Sequence, residues 1–156
     1  MTEDARFEDG AEAPLNLGAE DAADLQVISS LCQDAVFPAS EIRWDRKRRQ
    51  FALLLNRVRW EDQGSDRHQP ERVQSILHFN MVETVASQGV PRGDADTILS
   101  LLGVTFEPGD APSGHILLTL AGDGALRLGV EAVEARLKDV TRPYAAPSGK
   151  LPRHPD

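Results

Sequence analysis

At 156 residues, with 40 % apolar and 27 % charged side chains, the chain is long enough to bury a core and too apolar to stay unfolded. Its net charge of −8 argues against a protein whose main task is coating phosphate backbones, because such domains are usually basic overall. One cysteine, Cys32, forms no internal disulfide, which points to a reducing cytoplasm.

Residues 1–14 read as a flexible acidic arm with little to bury, and their lack of an apolar run speaks against a signal peptide. "PLNLGAE" suits a short edge strand. "EDAADLQVISSLCQDAV" then reads as an amphipathic helix, with Leu25, Ile28, Leu31, Cys32 and Ala35 on one stripe, Asp21 as N-cap and Pro38 beyond its end. "EIRWD" and "RQFALLLNRVRWE" read as strands joined by the polar turn "DRKRR". In the second, Phe51, Leu53 and Leu55 share one face and Ala52, Leu54, Val58 and Trp60 the other, as in a strand buried on both sides at its centre.

"RVQSILHFNMVETVA" is a further strand, with Val73, Ser75, Leu77, Phe79 and Met81 on one face. "TILSLLGVTFEPG" reads as a strand closed by Pro108, and "HILLTLAGDGALRLGVE" as a hairpin turning at "GDG". "HILLTLAG" is also the densest apolar run, far short of the ~18 residues of a membrane helix. Val130, Val133, Leu137 and Val140 follow 3–4–3 spacing, so residues 131–140 are predicted as a C-terminal helix, with the alternative of a continued strand left open. Residues 143–156 are Pro-rich and read as an extended tail. The fold class is therefore α+β: one domain, residues 15–142, with a mostly antiparallel, curved sheet and helices at both ends of the chain. A pleckstrin-homology-like barrel is compatible with that element order.

Charge is unevenly spread. Residues 41–60 hold Arg43, Arg46, Lys47, Arg48, Arg49, Arg57 and Arg59 against only Glu41 and Asp45. Clustered arginines offer forked donors for phosphate, and Trp44 and Trp60 flank the run. The plainer account is a solvated turn whose charges discourage sheet-edge aggregation, and the overall acidity favours it over nucleic-acid binding. A third account lays the acidic residues 3–24 over the basic turn.

The four histidines, His68, His78, His115 and His154, have no metal-ligand spacing, and no His/Cys cluster exists, so neither a metal nor a cofactor is expected. Cys32 falls on the apolar stripe and reads as a small hydrophobe.

The stretches "DAADLQVISSLCQDAV", "IRWDRKRRQFALLLNRVRWE", "FEPGDAPSGHILLTLAGDGALRL" and "VEAVEARLKDV" together resemble an uncharacterised family of alphaproteobacterial proteins, the domain-of-unknown-function family 2948, over about residues 15–156. Its phrase "RFALLLNRFRWE" stands here as "QFALLLNRVRWE", departing at Gln50 and Val58. The resemblance implies a cytoplasmic bacterial protein of one domain, and implies no activity, substrate or catalytic residue. The ratio of fourteen Arg to three Lys, a mark of GC-rich coding, agrees with a bacterial origin.

The leading functional expectation is a non-enzymatic binding module directed at a protein partner, with no membrane role. Its contact surface would be the basic hairpin, residues 43–60: Trp44, Arg46, Lys47, Arg48, Arg49, Arg57, Arg59 and Trp60. The alternatives are a nucleic-acid-associated accessory protein using the same hairpin, and a small enzyme whose site joins His78 or His115 to an acid and an arginine. A concave pocket holding such a histidine beside a carboxylate would favour the last.

Overall fold

The computed structural model describes residues 14–62, 71–90, 95–142 and 144–145. Eleven strands and one α-helix occur among them: β1 (Asn16–Ala19), α1 (Ala22–Leu31), β2 (Ala35–Pro38), β3 (Ile42–Asp45), β4 (Gln50–Val58), β5 (Glu71–Phe79), β6 (Val82–Gln88), β7 (Ile98–Pro108), β8 (Gly114–Leu120), β9 (Ala125–Val130), β10 (Ala135–Asp139) and β11 (Tyr144–Ala145). The strands pair antiparallel in the order β1-β10-β5-β4-β2-β7-β8-β9-β6, with β3 added to β4 and β11 to β5. The class is α+β, a mostly antiparallel curved sheet with a helix near its N-terminal end.

The sheet turns at a corner between β5 and β6. β5 passes into β6 through Asn80 and Met81, and Met81 takes a positive φ of 58°. The facing chain turns at residues 131–134 between β9 and β10. The corner is tied by Asn80 N–H to Glu134 O at 2.9 Å, Glu131 N–H to Met81 O at 3.0 Å and Val82 N–H to Arg49 O at 2.9 Å. β5 therefore pairs with β4 and β10 before the corner, while its continuation β6 pairs with β9 after it. One core results, in which Phe51, Leu77 and Phe79 lie with Ile116, Leu128 and Val130. Phe51 and Phe79 are cross-strand partners with ring centroids 6.4 Å apart, a distance at which aromatic pairs attract.

α1 seals this core with Leu25 and Ile28. Asp21 caps it, its Oδ1 accepting from Asp24 N–H at 2.8 Å. Ser29 Oγ accepts from Val104 N–H at 2.8 Å and so fixes the helix on β7. The helix is shorter than its apolar stripe suggested. It ends at Leu31, Asp34 follows with φ 65°, and Ala35 already belongs to β2.

Residues 131–140 correct the sequence reading. They form no helix; Ala135–Asp139 is strand β10, paired with both β1 and β5. Ala135, Leu137 and Asp139 face inward and Arg136 and Lys138 outward, a period of two. The inward acid at 139 broke the apolar alternation, and Val140, counted in the helical stripe, is exposed. No C-terminal helix closes the sheet among the described residues. The stretch 72–86, read as one strand, is two, because Met81 turns the chain. The acidic arm and most of the Pro-rich tail lie outside the described residues.

Candidate functional site

The basic run divides into two groups at opposite ends of β4. β3 and β4 form the expected hairpin, with Asp45 opposite Gln50 and Arg46–Arg49 as its turn. Asp45 Oδ1 accepts from Arg48 N–H at 3.1 Å, and Arg49 takes φ 56° to close the turn. All four side chains are exposed. Arg49 pairs with Glu131 at 2.9 Å and Arg48 approaches Asp45 at 3.9 Å. Arg46 and Lys47 make no ion pair among the described residues. Trp44 is half-buried and packs against the core.

Arg57, Arg59 and Trp60 lie at the other end of β4, roughly 27 Å away at strand rise. Arg57 is fully buried. Its NH2 reaches Glu61 Oε2 at 2.8 Å and Asp139 Oδ1 at 2.9 Å, and its Nε donates to Ser75 Oγ at 3.0 Å. Ser75 Oγ donates to the same Asp139 Oδ1 at 2.7 Å, and Leu15 N–H satisfies Oδ2 at 2.9 Å. Burial by itself would lower the guanidinium's pKa; the bonds to Glu61 and Asp139 outweigh it and raise it. Burial would raise the Glu61 pKa, but the Arg57 bond holds it below the usual carboxylate range. Arg59 is also inside, paired with Glu71 at 2.6 Å. Trp60 is half-buried and spends its N–H on Gln33 O at 2.9 Å. Three of the eight candidate residues are thus engaged in structure far from the turn.

Cys32 is buried, and desolvation pushes its pKa up to about 12, the nearby Arg57 opposing. A thiol so protonated is no nucleophile.

Composition and spacing did not reveal the Arg57–Ser75–Asp139 cluster. Its one signal was a polar residue in an apolar row, Ser75 between Val73 and Leu77.

Among the described residues, two depressions lie on the outer face beside the hairpin. The first, about 500 Å³, is lined by Gly18, Glu20, Asp24, His78, Asn80, Glu134 and Arg136. Three elements converge there: the end of β1, the first turn of α1 and the β5–β10 pair. Asn80 bridges Gln50 Nε2 at 3.2 Å and Glu134 Oε2 at 3.0 Å, and so joins the cavity to the base of the hairpin. Arg136 donates to Asn16 Oδ1 at 2.7 Å and lies over Gly18, where a Cβ would stand 3.0 Å from its NH2. Partial burial lowers the His78 pKa, and Glu134 opposes. This meets the description of a histidine in a concavity beside an acid and an arginine; His115, half-buried on β8, lines neither depression. The second depression, about 220 Å³, lies over Ala52, Leu54 and Ile76 beside Glu41 and Arg43. His68 and His154 lie outside the described residues.

Among the described residues no group of three or more His, Cys, Asp or Glu side chains is placed to hold a metal ion. No described helix is long and apolar enough to cross a membrane.

Fold and surface define a small α+β domain, one curved antiparallel sheet sealed by one helix, with a basic hairpin and two open depressions on its outer side. The chain belongs to the family described as protein of unknown function (DUF2948), whose model matches residues 15–154. No curated protein and no solved structure matches it.

Proposed function

We propose that this chain is a non-enzymatic interaction module of the bacterial cytoplasm that meets a protein partner through the β3–β4 hairpin turn and the adjoining outer face. The observation that carries the reading is the state of Arg46 and Lys47, both exposed and without an ion pair among the described residues. Exposed cations grouped on an acidic protein orient an encounter and accelerate it. Ala52, Leu54 and Ile76, further along β4 and β5, add apolar area and with it a specificity that charge alone could not give. Arg57, Arg59 and Trp60 are withdrawn from this contact set; Trp44 remains at its border.

The test is capture from bacterial lysate with the tagged chain, run beside a variant carrying Arg46→Ala, Lys47→Ala and Arg48→Ala. A stoichiometric protein retained by the wild type and lost by the variant supports the reading. Nucleic acid retained instead, with affinity falling steeply in salt, replaces it with the accessory-protein reading. Equal and empty captures by two folded proteins reject both.

A second reading rests on the larger cavity. A largely neutral His78 beside Glu134 and Arg136 is an arrangement able to exchange a proton with a small polar molecule. A metabolite that raises the melting temperature of the wild type and leaves His78→Ala unmoved would favour it.

A further inference from the structure

The larger cavity holds opposite charges that the chain does not pair with each other. Glu134 and Arg136 stand two residues apart and both are exposed. Arg136 nevertheless donates to Asn16 Oδ1 at 2.7 Å, and Glu134 Oε2 accepts from Asn80 Nδ2 at 3.0 Å. Each charge is positioned by a neutral amide and stays available. Among the described residues neither joins an ion pair, and neither do Glu20 and Asp24, which line the same cavity from the α1 side.

Strand register sets the spacing. β1 and β10 pair Gly18 with Arg136 and end with Ala19 opposite Ala135. Glu20 and Glu134 lie immediately beyond that last pair, so two carboxylates arrive at the same end of it. Two residues separate them from the Arg136 row, about 7 Å at strand rise. Asp24, in the first turn of α1, adds a third carboxylate. Three acids and one guanidinium thus line about 500 Å³ beside His78, whose lowered pKa leaves it largely neutral at neutral pH. Among the described residues these acids are not gathered closely enough to hold a metal ion, so the cation that suits them is a larger one. An amine alone would leave Arg136 unanswered, and a dicarboxylate would meet three acids. A ligand with one carboxylate and two cationic groups answers both.

We propose that this cavity binds a basic α-amino acid, its carboxylate on the Arg136 guanidinium, its α-ammonium toward Glu134 and its side-chain cation on Glu20 and Asp24. The roughly 7 Å between the Arg136 row and the acids matches an extended chain of four methylenes with its end groups. Arg136 is pre-set for the carboxylate: its guanidinium lies over Gly18, where a Cβ would stand 3.0 Å from NH2, and Asn16 holds its other nitrogen. The contacts are exposed, so binding is modest and weakens with salt. This assignment rests on the second reading above, in which the cavity takes a small polar molecule, and is independent of the hairpin contact.

The experiment is histidine side-chain NMR of the full chain at fixed pH, titrated with L-arginine, L-lysine, cadaverine, L-norleucine and L-glutamate. His78 reports on the cavity, and His115, on β8 outside it, serves as control. L-arginine and L-lysine are expected to shift His78 saturably and leave His115 in place. Cadaverine, which lacks the carboxylate, and L-norleucine, which lacks the side-chain cation, should each bind about tenfold more weakly, the loss of one charge-assisted hydrogen bond. Arg136→Gln should weaken L-lysine about tenfold and leave cadaverine unchanged, while Glu20→Gln with Asp24→Asn should weaken L-lysine and leave L-norleucine unchanged. All three side chains are exposed, so these variants keep the fold. Equal binding of L-lysine and cadaverine, both indifferent to Arg136→Gln, would mean general attraction of cations and overturns the proposal. A His78 shifted by L-glutamate alone overturns it and leaves the second reading standing. A His78 unmoved by all five probes overturns it too; if no other metabolite then stabilises the wild type, the second reading fails with it.

Discussion

Arg57 and Asp139, 82 positions apart, meet in the core at 2.9 Å and share Ser75 between them. β4, β5 and β10 each contribute one member, so the cluster forms only when the three strands are in register: Arg57 follows Leu55, which faces Ser75, and Ser75 faces Asp139. A slip of one residue would turn each polar side chain to the other face of the sheet.

Removing Asp139 takes away one of the two carboxylates on the buried Arg57, leaving Glu61, and deprives Ser75 of its acceptor. Asp139→Ala is expected to cost about 3–5 kcal/mol, the range for breaking a buried ion pair. Arg57→Met combined with Asp139→Leu should cost clearly less than Asp139→Ala, since both fully buried charges are then gone, while Glu61, 29 % exposed, keeps water and Arg59 at 3.9 Å. Urea unfolding of the two variants and the wild type checks this. Equal losses would mean that the cluster contributes by volume alone.

The acid limb of stability should depend on Glu61. Its pKa is held down in the folded chain by Arg57. The unfolded chain therefore takes up the proton first, and this contribution is complete above the unfolded value of about 4.3 and lost as pH falls below it. His78 has the same sign at higher pH. Its lowered pKa makes stability decline as pH drops below about 6.5. Unfolding midpoints against pH should lose the first slope in Glu61→Gln and the second in His78→Gln.

Cys32 should be inert until the chain opens. It is buried, with its pKa near 12, so thiolate and access are both withheld. Thiol labelling at pH 8 should follow the rate of global unfolding and rise with urea. Fast labelling in native buffer would show local opening around the C-terminal end of α1.

Gly114 begins β8 where the backbone leaves no room. An added Cβ would lie 2.6 Å from the Phe106 ring and against Glu107 O. Gly114→Ala is expected to destabilise by about 1–3 kcal/mol, the cost of overpacking, read as a lowered melting temperature. Phe106→Leu in the same chain should recover only part of it, because the carbonyl remains.

The hairpin turn should be separable from the fold. Changing Arg46, Lys47 and Arg48 to Ala is expected to move stability by no more than about 0.5 kcal/mol, as for exposed sites without buried partners. A larger loss in calorimetry would give the turn a structural role and weaken the capture experiment as a test of binding.

The sequence by itself determined the α+β class, the capped N-terminal helix, the "DRKRR" hairpin turn and the β8–β9 hairpin. Each is written in local pattern: Asp21 before an apolar stripe, charge between two strands, "GDG" between alternating runs. His78 with an acid and an arginine was also conceivable from residue types, though Glu134 and Arg136 could not be singled out. What only the tertiary structure decided was the fate of the other charges. Arg57, Arg59 and the four turn residues look alike along the chain, yet the length of β4 sends the first two into the protein and leaves the others in water. Asp139 hid the strand that carries it, because a buried acid breaks the apolar alternation by which strands are read. Its partners come from β4 and β5, and local sequence holds no record of a charge neutralised from so far away.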